Sequence, residues 1–295
     1  MRLGGLRLHV VSDGEFRLDG GAMFGVVPKV LWSGLKEPDE QNRIRMTTNC
    51  LLVESGSDLV LVDTGVGDKL DDRAHQIFGL RRDEPRLPDR IAEAGYQLGD
   101  VTHVLQTHLH FDHCGWCTRR DGDSIRPTFP NARYWISRLE VEHARMPNVR
   151  DRSSYLPENW EPLFEEGLVE LFEDEAEPVP GVRAVRAGGH SPGMCIVILD
   201  GGEGRSEASG GSSLDRRGGV FFADLVPTTA HVPYSWIMAF DLEPMKTLAA
   251  KQRWIPEAAA RDWLCIFEHD ADEPVGRIAQ VATGRFVAEP AAGAQ

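Results

Sequence analysis

Apolar and polar positions alternate over residues 6–12, and a period of two predicts a first strand there. Residues 49–55 and 58–63 repeat that strand character on either side of Gly56-Ser57. They read as a hairpin that ends in Asp63-Thr64-Gly65. Further strands are expected at 101–106, 132–137, 182–186, 195–199, 219–223 and 263–267. Residues 88–94 have Pro88 near a first turn and Gly95 as a stop, which predicts a helix. Helices are also expected at 138–144 and at 243–253, where Pro256 should block continuation. A closing helix is expected at 275–282, and the last seven residues read as a frayed tail. Strands in antiparallel runs with helices between them predict a layered α/β sandwich, and periodicity alone does not choose among such folds.

Two stretches break the rhythm. Residues 20–32 are apolar and glycine-rich with no clean period. They read as a packed loop, with two sharper alternatives: a flap over an apolar substrate pocket, or the subunit contact of a homodimer. Residues 201–219 are rich in Gly and Ser and read as a long hairpin tip rather than a linker, because strands continue on both sides. A single domain over 1–295 is therefore expected.

The chemistry concentrates in Thr107-His108-Leu109-His110-Phe111-Asp112-His113, directly after an apolar strand. At a strand end, residues i and i+2 project to one side, so His108 and His110 can face one cation. Asp112 and His113 lie past the turn and can face a second. Imidazole and carboxylate are ligands suited to zinc and its neighbours. The bland alternative is an exposed loop that is histidine-rich by chance, and only ten histidines are spread over 295 residues.

Here the chain resembles the metallo-β-lactamase superfamily. His-x-His-x-Asp-His at 108–113 is that family's signature. Its other landmarks follow in order: Asp63-Thr64-Gly65, Gly189-His190-Ser191-Pro192-Gly193, the aspartate ending Phe221-Phe222-Ala223-Asp224, and Phe267-Glu268-His269-Asp270. The resemblance implies a four-layer αββα sandwich and two divalent metal ions, with zinc as the default. It places His108, His110 and His190 on one ion, and Asp112, His113 and His269 on the other. Asp224 would bridge them, and a hydroxide between the ions would be the nucleophile. The catalytic carboxylates would be Asp112 and Asp224, and Asp63 would brace the ligand loop without touching metal.

Within the family, the form His-Leu-His-Phe-Asp-His and the stretch 19–29 resemble quorum-quenching N-acyl-homoserine lactonases. A small-molecule lactone is the expected substrate, with Met23 and Phe24 as contacts to an apolar acyl chain. The alternative is an aryl ester or phosphotriester, since residues 128–134 resemble relatives that include organophosphate hydrolases. One departure stands out. Lactonases carry a Tyr shortly after the bridging aspartate, whereas Asp224 is followed by Leu-Val-Pro-Thr. His231 and Tyr234 are the candidates for that contact, against a reading in which both pack in a loop. A degenerate metal-binding signalling module would lack a ligand, and all seven positions are filled.

Composition narrows the partners. With 46 Asp+Glu against 32 Lys+Arg the net charge is −14, opposite to what a phosphate-tracking surface needs. No nucleic-acid partner is expected. No apolar run is long enough to span a membrane, and residues 1–9 do not read as an export signal. A cytoplasmic protein with five reduced cysteines is expected. Cys114 and Cys117 form a Cys-x-x-Cys, for which redox or extra metal binding is the minor alternative.

Overall fold

The first long strand, Leu6–Asp19, runs well past the alternating stretch that predicts it. A register shift between Ser12 and Glu15, beside Gly14 at φ 100°, lets it bend and keep pairing with Arg43–Ser55. The computed structural model describes residues 1–81, 84–201 and 218–291, so most of the Gly/Ser-rich tip expected at 201–219 lies outside it.

Seven strands form the first sheet, in the order Arg2–Leu3, Leu6–Asp19, Arg43–Ser55, Asp58–Val62, His103–Leu105, Arg133–Ser137 and Val169–Phe172. The second sheet also has seven: Glu175–Val179, Val182–Arg186, Cys195–Leu199, Gly219–Phe221, Leu264–Ile266, Val275–Ala282 and Arg285–Pro290.

Successive strand residues point to opposite faces, and here both faces are covered. Leu51, Val53, Val60 and Val62 of the first sheet pack with Ile196, Ile198, Val220 and Phe221 of the second. Their neighbours Leu52, Leu59 and Leu61 pack the other way, onto Leu87, Ile91 and Val141 from helices Leu87–Glu93 and Arg138–Arg145. Helix Pro244–Ala260 adds Trp254, Ile255 and Ala258 to the second sheet's core. The result is the expected four-layer αββα sandwich.

Several local expectations change. Residues Val275–Ala282 form a strand, not a closing helix, and pair with Arg285–Pro290 around Gly284 at φ 67°. Val275 and Ile278 are β-branched and buried, and Phe286 completes the hairpin's inner face. Glu289 and Pro290, expected in a frayed tail, belong to this hairpin's second strand, and residues 292–295 lie outside the described residues. Pro256 lies inside helix Pro244–Ala260 rather than ending it, because Trp254, Ile255 and Ala258 are buried around it. Residues 20–32 are two short helices, Gly20–Phe24 and Lys29–Trp32, which bury Met23, Phe24 and Trp32 and leave Val26 and Val30 exposed. Among the described residues, no helix is long and apolar enough to cross a membrane.

Each sheet has a parallel pair that places the site. Asp58–Val62 runs parallel to His103–Leu105, and Gly219–Phe221 runs parallel to Leu264–Ile266. Parallel neighbours release their chain at the same edge. Asp63 therefore emerges beside the His108–His113 loop, and Asp224 emerges beside His269.

Candidate metal centre

His108 and His110 sit in the loop after His103–Leu105, and Asp112 and His113 in the short helix Phe111–Cys114 that follows. His190 lies on the turn before Cys195–Leu199. Asp224 follows Ala223, a non-glycine residue at φ 46°. All seven side chains are buried.

They assemble into two donor groups that could each hold an ion: His108, His110, His190 and Asp224, and Asp112, His113 and His269. Asp224 joins them. Its Oδ2 lies 2.9 Å from His190 Nε2 and 3.9 Å from His108 Nε2, while its Oδ1 lies 3.0 Å from His269 Nε2 and 3.7 Å from His113 Nε2. His110 Nδ1 is 3.0 Å from His190 Nε2, and His113 Nε2 is 3.2 Å from His269 Nε2. Nitrogens this close share at most one proton. His108 Nε2 is buried with no hydrogen-bond partner. Orphaned and converging imidazole nitrogens around a shared carboxylate fit divalent cations, not a satisfied polar core.

The far sides of the His113, His190 and His269 rings are held. Asp63, at φ 55°, accepts from Thr107 N at 2.7 Å, Thr107 Oγ1 at 2.6 Å and His113 Nδ1 at 3.0 Å. Asp241 Oδ1 is 2.9 Å from His190 Nδ1, and His269 Nδ1 donates to Thr47 O at 2.8 Å. Such partners fix which nitrogen faces the metal. Glu268, fully buried, lies 3.0 Å from His113 Nδ1. Sequence reasoning did not single out Asp241, Glu268 or Glu140. Adjacency to His269 could have flagged Glu268; nothing local flags Asp241.

Electrostatics follow from this crowding. Burial, then neighbouring imidazoles, holds His108 and His110 well below the usual histidine range. At His190 burial opposes the charged form, but Asp224 and Asp241 outweigh it and raise the pKa to about 10. Burial pushes Glu268 up to about 8. Because a ligand nitrogen must shed its proton to bind, chelator-stripped protein should release protons on metal uptake at pH 7. Its metal affinity should climb about tenfold per pH unit for each proton displaced, up to about pH 10. Titrating zinc at pH 6, 7 and 8 in a weak buffer checks this; a pH-independent affinity would refute it.

Residues 43–204, more than half of the chain, match the metallo-beta-lactamase superfamily model. The chain belongs to the metallo-β-lactamase superfamily. It is 29% identical over 168 residues to an N-acyl homoserine lactonase of Bacillus cereus, covering 54% of this chain and 60% of that one. It is 31% identical over 179 residues to a probable metallo-hydrolase of Mycobacterium tuberculosis, covering 54% of each. The chain thus spans little more than half the length of the curated relatives it matches. Among solved structures, a probable metal-dependent hydrolase from Staphylococcus aureus superposes with TM-score 0.85 at 29% identity, over 99% of both chains. A dizinc quorum-quenching lactonase superposes with TM-score 0.77 at 19% identity, over 100% of this chain and 97% of that one, a likeness of fold.

A cavity of about 430 Å³ opens above the metallo-β-lactamase centre, with His110, Asp112, His190, Asp224 and His269 in its wall. Its other walls are mostly apolar: Leu18, Met23, Met46, Phe78, Phe111, Met238 and Phe240. Arg150, Asp151, Ser153 and Ser154 make a polar side. Of the four expected substrate contacts, Met23 lines this cavity. Phe24 does not; it is buried between Trp32 and His231, with ring centroids 5.0 and 4.6 Å away. His231 is turned inward, its Nε2 donating to Met23 O at 2.9 Å and its Nδ1 accepting from Thr228 Oγ1 at 2.8 Å. Burial pulls its pKa down to about 3, in keeping with a neutral ring. Tyr234 packs against Phe286 instead, 5.7 Å between ring centroids. Cys114 and Cys117 are buried, and burial pushes the Cys117 thiol up to about 12 and Cys114 well above the usual range, which suits inert thiols rather than redox groups.

Proposed function

We propose that this chain is a dinuclear metal-dependent hydrolase whose preferred substrate is a lactone, as for its N-acyl homoserine lactonase relatives. The observation that carries the reading is Asp224, which directs one carboxylate oxygen toward each donor group beneath an apolar cavity. His108, His110 and His190 would hold one ion, Asp112, His113 and His269 the other, and Asp224 both. Zinc suits this N/O shell, as do iron, manganese and cobalt. When bound, such ions supply a water of lowered pKa and an electrophile for a carbonyl or phosphoryl oxygen.

The chain's own residues supply the rest. Asp112 lies in the cavity wall, and its carboxylate would carry a proton to the leaving oxygen. Leu18, Met23, Met46 and Met238 exclude water and offer an adaptable wall to an acyl chain. The acidic net charge weighs against a polyanionic substrate.

A second reading, aryl-ester or phosphotriester hydrolysis, draws on a specific feature. Tyr155 packs behind His110 and Tyr234 against Phe286, neither lining the cavity, whereas Phe78, Phe111 and Phe240 offer aromatic walls. A degenerate module is disfavoured because all seven ligand positions carry a donor.

Elemental analysis and turnover in one preparation test both readings. The panel is C6–C12 acyl-homoserine lactones, an aryl ester and a paraoxon-like phosphotriester, before and after chelation. About two ions per chain with chelator-sensitive lactone opening is the expected result. Two ions with aryl-ester or phosphotriester turnover alone would move the substrate to the second reading. Fewer than one ion in folded, metal-supplemented protein would overturn the proposal.

A further inference from the structure

Glu140 is fully buried in the first turn of helix Arg138–Arg145, and it touches none of the seven donors. Its carboxylate accepts four hydrogen bonds. Oε1 takes Leu109 N at 3.1 Å and Tyr155 OH at 3.1 Å; Oε2 takes Ser191 Oγ at 2.6 Å and Gly193 N at 3.2 Å. Each donor belongs to a segment that carries or braces a ligand. Leu109 lies between His108 and His110, Tyr155 packs edge-on against the His110 ring at 4.8 Å, and Ser191 follows His190. Gly193 sits so close that a Cβ there would come within 2.3 Å of Glu140 N.

The other donor group does not lean on Glu140: His113 is held by Asp63, which also holds Thr107, and His269 by Thr47 O. We infer that Glu140 is a positioning residue for one half of the site, fixing His108, His110 and His190 as a unit and so setting the affinity of the ion they share. The inference rests on the dinuclear reading above.

The chemistry is demanding. All four partners are donors, and an ionised carboxylate is an acceptor only, with room for four. A Gln of the same shape brings one acceptor oxygen and an NH2 group that faces N–H and O–H donors. Glu140→Gln therefore keeps the volume and loses half of the bracing.

The experiment titrates zinc into chelator-stripped wild type, Glu140→Gln, His190→Ala and His269→Ala against a chromogenic competitor, with thermal melting of each stripped protein as the check on folding. In Glu140→Gln one of the two zinc constants should weaken by about 10- to 100-fold, the scale for losing an outer partner of a metal ligand. It should be the constant that His190→Ala abolishes, with the other unchanged. Wild type with two sites and Glu140→Gln with both at undiminished affinity, or with both weakened equally, would overturn the inference alone. Wild type with a single site would overturn the dinuclear reading and this inference with it. If Glu140→Gln melts with the unfolded chain, Ser191→Ala removes one donor from Oε2 without stranding the carboxylate, and the same selective weakening is required of it.

Discussion

Asp224→Ala is expected to cost both donor groups their ion and to lower turnover by about a thousandfold or more. Its two oxygens face different groups: Oδ2 is 2.9 Å from His190 Nε2 and Oδ1 is 3.0 Å from His269 Nε2. Without it, each group keeps three imidazole or carboxylate donors, and two clusters of buried imidazoles lose the carboxylate that balances them. The carboxylate is itself held well below its usual pKa: burial opposes ionisation, but His190, His113 and His269 outweigh it. Two metal ions held as proposed would supply several kcal/mol to the transition state, and each ~1.4 kcal/mol is tenfold in rate. Elemental analysis and kcat on the best substrate of the panel measure the effect. A variant that retained two ions and a tenth of the activity would remove Asp224 from the centre of the reading.

Lys251→Met is expected to destabilise the fold by about 3 kcal/mol, or roughly 5–10 °C in Tm, without touching the metal centre. Lys251 is fully buried on helix Pro244–Ala260, and its Nζ donates to three backbone carbonyls: His231 at 2.6 Å, Trp236 at 2.7 Å and Pro233 at 2.8 Å. The segment 231–236 has little regular structure, and of the three carbonyls only Pro233 O has a second donor among the described residues, Trp236 N at 3.0 Å. Methionine fills the space but leaves His231 O and Trp236 O without this donor, at about 1–3 kcal/mol each, while Pro233 O keeps its bond from Trp236 N. Removing a buried charge returns part of that cost.

The damage should also reach the cavity. His231 Nε2 holds Met23 O and its ring stacks on Phe24, so a loosened segment frees the wall that Met23 provides. If the substrate is an acyl lactone as proposed, KM for long acyl chains should rise while metal content stays at the wild-type level. Thermal unfolding of metal-loaded protein is the first measurement. An unchanged Tm would mean that His231 O and Trp236 O find other partners, and the bracing argument would fall.

These two residues differ in how visible they are before folding. Asp224 ends an apolar strand and falls in order with His108, His190 and His269, and histidines and aspartates that break apolar runs are chemically conspicuous. Lys251 looks like any lysine on an amphipathic helix. Glu140, four bonds deep beneath the site, looks like a solvated glutamate in a first helical turn. Nothing local separates them from surface charges, because burial is conferred by segments distant in sequence: 109, 155 and 191–193 for Glu140, and 231–236 for Lys251.

Secondary structure divides the same way. Strands with an unbroken apolar run, such as Asp58–Val62 and Cys195–Leu199, are readable because both of their faces are buried. Val275–Ala282 has no such run, and its strand state is decided by pairing with Arg285–Pro290. The helix through Pro256 is decided by what buries Trp254 and Ile255.

Residue types and spacing give the layered α/β architecture and the candidate donors His108, His110, Asp112 and His113, since ligand chemistry needs particular side chains at strand ends; the resemblance to the metallo-β-lactamase superfamily adds His190, Asp224 and His269. Tertiary structure alone decided that Asp224 faces both groups, that Met23 reaches the cavity while Phe24, His231 and Tyr234 do not, and that Glu140 and Lys251 are interior. Those facts depend on which distant segments meet, and the hydrophobic pattern encodes only which face of each segment seeks burial, not what it will meet there.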